Sequence, residues 1–155
     1  MTDTQMIASI EIDHASLPAA NAEVEHQRRV AIFDLVEQNS FSPEGATSGP
    51  FALRLSSQEN RLAFEIEGPD FARTHVLSLS PLKTVIRDYA LICESYYEAL
   101  RGSSPSQIES VDMGRRGLHN EGAELLKSRL EGKVEVDQET ARRLFTLVCA
   151  LYRRG

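Results

Sequence analysis

No apolar run in this chain reaches the roughly 18 residues that a membrane-spanning helix needs. The N-terminus lacks a basic region followed by an apolar stretch, the mark of a secretory leader, so a cytoplasmic location is the expectation. Cysteine is scarce. Cys93 and Cys149 stand far apart in apolar helical surroundings, and they read as small core residues rather than a disulfide framework or a thiol site. Walker loop, dinucleotide fingerprint, nucleophile elbow and zinc pattern are all missing, and no cofactor is expected. Glu23 and His26 make one Glu-x-x-His, but a di-metal helical bundle needs two, so no metal is expected either. Internal repeats and low-complexity segments are absent as well.

Basic residues are also in deficit. The formal net charge is −6, which argues against a nucleic-acid coat protein because phosphate binding needs a basic face. The deficit is uneven. Residues 1–114 carry 8 Lys and Arg against 17 Asp and Glu, whereas residues 115–155 carry 9 against 6. Nucleic acid is therefore not the expected partner, and the C-terminal helices are the one place that could carry it.

What is present is an ordinary globular composition, 41% hydrophobic and 26% charged over 155 residues, expected to form a single domain over residues 1–155. Residues 1–5 are polar and expected to fray. Ile10 and Ile12 alternate with Ser9 and Glu11, predicting a half-buried strand from Met6 to Asp13. Asn21 to Asn39 reads as a helix with Val24, Ala31, Ile32, Leu35 and Val36 on one face. Glycine and proline predict a loop over residues 42–50. Three alternating segments follow, around Leu53, Phe64 and Leu77, joined by short polar turns, which predicts an antiparallel meander. His75 falls in phase with Leu77, as a core-edge histidine would. Ser80-Pro81 opens a helix to about Arg101, Ser104-Pro105-Ser106-Gln107 is a capping box opening another to Leu130, and Asp137 caps a last one through Tyr152. The fold class is α+β: about four antiparallel strands with helices packed on one face, in the order β-α-β-β-β-α-α-α.

The segment Met113–Gly122 departs from what a merely stable helix needs. It sets Arg115, Arg116, His119, Asn120 and Glu121 among Gly114, Gly117 and Gly122. On a continuous helix Arg115 and Gly122 share the apolar stripe of Leu118, Leu125 and Leu126, with His119 on its flank. Three helical glycines cost about 3 kcal/mol against alanine. Either close helix–helix contact offsets this, or the helix breaks near Gly114–Gly117 and exposes amides beside the arginines, an arrangement suited to a phosphate or carboxylate. Asp112 stands at salt-bridge spacing from both arginines, and Tyr89, Tyr96 and Tyr97 lie on the preceding helix. A purely structural polar network is the competing account.

Arg115, Arg116, His119, Asn120, Tyr96 and Tyr97 are thus the candidate binding residues, with no catalytic set among them. The leading expectation is a non-enzymatic interaction or regulatory module that recognises an acidic group on a protein partner. The alternative is an enzyme or sensor for a small anionic ligand, with an arginine clamp and His119 as acid/base. Glu121 would point about 160° away from His119 on an unbroken helix, which weakens a direct pairing.

The runs Ile92-Cys93-Glu94-Ser95-Tyr96-Tyr97-Glu98-Ala99, Asp112-Met113-Gly114-Arg115-Arg116-Gly117-Leu118-His119-Asn120-Glu121-Gly122 and Thr140-Ala141-Arg142-Arg143-Leu144-Phe145 carry a resemblance. Together with Val24-Glu25-His26 and Ala31-Ile32-Phe33-Asp34-Leu35, they make the chain resemble uncharacterised protein family 0262 of the alphaproteobacteria. The resemblance implies a small bacterial protein of unassigned activity and brings no catalytic residue with it.

Overall fold

The computed structural model describes residues 4–153. Residues 1–3, expected to fray, lie outside the described residues; Thr4 and Gln5 are tied down, since the Thr4 hydroxyl accepts the Gly49 N–H and the Gln5 carbonyl accepts the Phe41 N–H. The chain runs β1 (Ile7–Ile12), α1 (Ala22–Glu37), β2 (Phe41–Pro43), β3 (Phe51–Gln58), β4 (Arg61–Gly68), β5 (Phe71–Ser78), α2 (Ser80–Gly102), α3 (Pro105–Leu130), β6 (Val134–Val136) and α4 (Gln138–Leu151). This is the expected α+β order with two short strands added.

The main sheet has the order β1-β3-β4-β5. The β3-β4-β5 meander is antiparallel, with Leu55 opposite Phe64 and Leu62 opposite Leu77. The β1–β3 pair is parallel, which corrects the all-antiparallel expectation. Alternation specifies the buried face of a strand but not its direction; here the chain leaves β1 through α1 and re-enters the sheet at β3 by a helical crossover, which makes the pair parallel. The segment expected to be loop begins with β2, which pairs antiparallel with β6, Phe41 against Val136 and Pro43 against Val134. Three residues are too few for a periodic signal, and Pro43 ends the strand, where its missing N–H costs little.

One sheet face is covered. Leu53, Leu55, Leu62, Phe64 and Ile66 join Leu35, Leu82, Leu126, Leu144 and Phe145 in one core. His75 is half-buried beside Phe64, as its phase predicted. The helix starts are chemically specified. Asn21 accepts the Val24 N–H, Asp137 accepts the Thr140 N–H, and Ser104 and Gln107 form the complete capping box. The cap of α2 differs from expectation: Leu79 occupies it without a side-chain hydrogen bond, and Ser80 is already helical.

Arg28 is the polar exception in the core, 1% exposed. Its guanidinium donates to the carbonyls of Leu17, Pro18, Ala150 and Leu151 at 2.6–3.2 Å. Two of these are the carbonyls that α4 leaves unpaired at its C-terminal end. One buried cation therefore fastens the segment after β1 and the end of α4 to α1. Helix α3 packs between α2 and α4, and α4 between α3 and α1.

Candidate functional site

Helix α3 is continuous from Pro105 to Leu130, so no second helix starts at Leu118 and no free amides meet the arginines there. Two of the three glycines are explained by close approach instead. A Cβ on Gly122 would stand 2.1 Å from Phe145 Cζ on α4, and one on Gly114 would stand 2.7 Å from Ile92 Cδ1 on α2. Gly117 faces open space. The glycine cost is thus offset on both seams of α3 by contacts that a larger side chain would prevent.

The two arginines share one carboxylate. Asp112 Oδ1 accepts from Arg115 Nε at 3.2 Å and Nη2 at 2.6 Å. Asp112 Oδ2 accepts from Arg116 Nε at 2.9 Å and also from its Nη2. Both guanidiniums hold the Asp112 carboxyl below its usual range. The Arg115 guanidinium lies 4.7 Å from the Tyr96 ring centroid, a cation–π contact, and Tyr97 stacks obliquely beside Tyr96 at 5.9 Å. Arg115 is half-buried, while the Arg116 side chain is 66% exposed. Counted as charges, the group is two cations and one anion.

The other two candidates are drawn to α4. Asn120 accepts a hydrogen bond from Arg142. His119 Nε2 lies 2.7 Å from the Thr146 hydroxyl, which itself donates to the Arg142 carbonyl. That hydroxyl oxygen is left to accept, so the proton belongs on His119 Nε2. The ring packs between Tyr89 and Phe145 at 5.3 and 5.4 Å, with Nδ1 buried and without a hydrogen-bond partner among the described residues. Burial, with Arg142 and Arg115 nearby, lowers its pKa to about 4. A neutral imidazole held between two aromatic rings is unsuited to donating protons near pH 7. Glu121 is exposed and forms no ion pair among the described residues. Neither Arg115 nor His119 lines either of the two concavities that flank α2.

A sizeable concavity lies elsewhere, and the sequence reading missed it. A groove of about 1100 Å³ runs between α1 and α2 with α4 at its base. Val30 on α1 and Ile86, Ala90, Cys93 and Tyr97 on α2 line it, with Cys149 on α4. Burial raises the Cys149 thiol pKa far above its ordinary value, so it is no nucleophile. A legible signal existed: Leu79, Ile86, Ala90, Cys93 and Tyr97 recur at the helical period on α2, offset from the stripe of Leu82, Val85, Tyr89, Ile92 and Tyr96. The first stripe packs on the core and α3, and of the second only Ala90 and Tyr97 remain exposed. Among the described residues no His, Cys, Asp and Glu cluster could hold a metal, and no helix is long and apolar enough to cross a membrane.

Comparison with known proteins bears on the whole of this architecture. The model of the uncharacterised protein family UPF0262 matches residues 4–154. The chain belongs to that family. Members from Caulobacter vibrioides and Phenylobacterium zucineum are 63% and 58% identical over 149 residues, covering 96% of this chain and 94% of each relative. A member from Brucella canis is 57% identical over 152 residues, with the same coverage. These relatives come from alphaproteobacteria, as the resemblance implied. No solved structure matches the chain.

Proposed function

We propose that this UPF0262 member is a non-enzymatic interaction module that docks an acidic group of a protein partner on the Arg115–Arg116 pair. One observation supports the reading above the others: a single carboxylate, Asp112, holds both guanidiniums side by side on the surface of α3. Orientation is thereby prepaid. Long arginine side chains normally lose rotamer freedom on binding, and these two have already lost it. The pair is not neutralised either, because two cations face one anion. Arg116 Nη1 has no partner among the described residues, so a carboxylate or phosphate arriving there meets a free donor edge and a net positive charge. Tyr96 and Tyr97 supply the aromatic border that interfaces favour.

The test is capture from native lysate on wild type and on the folded Arg115→Ala/Arg116→Ala variant, eluting each with a polyglutamate competitor. The expected result is a protein released by the competitor from wild type and held about 10- to 100-fold more weakly by the variant. Equal retention by both proteins contradicts the proposal.

A further inference from the structure

We propose that a second copy of this chain covers the groove between α1 and α2, its α2 lying antiparallel to the first. Apart from Tyr97, which borders both, this surface is distinct from the arginine pair, and it does not depend on the function assigned to that pair.

The argument begins with what α2 leaves uncovered. Of its second apolar stripe, Leu79 is buried and Ile86 packs against the core, while Ala90 and Tyr97 stay exposed on the wall of the groove. Leu91 and Tyr97 are each 56% exposed, and Val30 on the opposite wall is 45% exposed. Scattered surface leucines need no explanation, but apolar side chains lining one continuous groove do.

The identity of the cover follows from charge. Beside the stripe, along one flank of α2, stand Lys83, Arg87, Glu94, Glu98 and, in the last turn, Arg101. From Lys83 to Glu98 this flank is basic in its N-terminal part and acidic in its C-terminal part. Lys83 and Glu98 lie equally far on either side of Ala90–Leu91, and so do Arg87 and Glu94. An antiparallel copy related by a two-fold axis at Ala90–Leu91 therefore sets Lys83 against Glu98 of the other copy, and Arg87 against its Glu94. Symmetry doubles both pairings. At the axis Leu91 meets the second copy's Ala90, large against small.

These charges are available. Among the described residues Lys83, Glu94 and Glu98 have no ion partner, and Arg87 touches only its neighbour Asp88 at 3.5 Å. Size also fits. Helices of 16 and 23 residues present faces of roughly 24 and 34 Å, or on the order of 600 Å² before the groove is counted. Standard interfaces bury about 800 Å² per partner.

The experiment is sedimentation of the full chain at several concentrations, with circular dichroism as a folding control. Wild type is expected to reach twice the 17.3 kDa chain mass. Lys83→Glu/Arg87→Glu makes the four facing positions all acidic and Glu94→Lys/Glu98→Lys makes them all basic. Each pair of changes alone should weaken self-association by about 100-fold or more, since four symmetric attractions become repulsions. Mixed one to one, the two variants should form a heterodimer. If either variant misfolds, the chain carrying all four reversals is self-complementary again and should dimerise. A monomeric wild type would overturn the proposal and leave the groove to a different occupant. A dimer indifferent to both pairs of changes, or a mixture that stays monomeric, would overturn it equally.

Discussion

Single residues in α3 divide into those that pack and those that are free to change. Gly122 meets Phe145 and Gly117 meets nothing, although both are glycines in one helix. Gly122→Ala should cost about 1–3 kcal/mol through overpacking, while Gly117→Ala should add up to about 1 kcal/mol of helix propensity. Urea denaturation of the two variants checks this, and shifts of the same sign would contradict it. His119 carries a second prediction. Folding keeps its ring neutral down to about pH 4, while the unfolded chain takes up a proton near 6.5. Stability is therefore full above pH 6.5, declines as pH falls toward 4, and levels off below. The decline is bounded by about 3 kcal/mol, and solvent at the partly exposed ring makes it smaller. His119→Gln keeps a donor for Thr146 and should flatten the stability-versus-pH curve across that window. His75, whose pKa burial also lowers, contributes in both proteins, so the difference isolates His119. Superimposable curves would exclude the assignment. At this scale the sequence exposed the candidates but not their company. Asp112 stood at pairing distance from both arginines in the primary structure, yet spacing cannot reveal that one carboxylate serves both. Arg28 sits in the stripe of Val24, Ala31 and Leu35, and nothing in that stripe says what would satisfy its charge. Its four carbonyl partners come from residues 10 to 123 positions away, which no local pattern encodes.

Secondary-structure elements were legible where they were long and capped. The boundaries of α3 and α4 were readable because Ser104, Gln107 and Asp137 satisfy backbone N–H groups that a helix start leaves open. The meander was readable because its inner face is apolar and its outer face polar. The clasp of β2 and β6 was not, because its pairing partners lie far apart and its strands are three residues each. That clasp has its own anchor. Thr140 is fully buried and accepts the Ser40 N–H at 2.8 Å, joining the approach to β2 to the first turn of α4. Thr140→Val keeps the shape and strands a half-buried N–H, so it should cost about 1–3 kcal/mol by urea denaturation. A loss below about 0.5 kcal/mol would show that the N–H finds water instead.

For the whole molecule, α2 and α3 together set two surfaces at different places. The seam of α2 and α3 carries Tyr96 and Arg115, with Arg116 and Asp112 beside them. The opposite flank of α2 carries Lys83, Arg87 and Glu94 along the groove, with Glu98 one turn beyond. The first surface is positive and preorganised; the second balances its own charges and is apolar in the middle. This division was only half visible in the sequence. The glycine–arginine run announced itself by composition, whereas the groove needed the third dimension to show that α1 and α2 stand apart over α4. Gly117 offers direct access to the first surface, because its position opens to solvent within one turn of both arginines. The most direct measurement places a photo-crosslinking amino acid at position 117 in living cells, with a matched probe at the exposed Thr74 on the outer face of the sheet. The account predicts a discrete crosslinked protein from position 117, none from position 74, and loss of the product when Arg115 and Arg116 are both changed to Ala. The same product from both probes, or one that survives loss of the arginines, would contradict it.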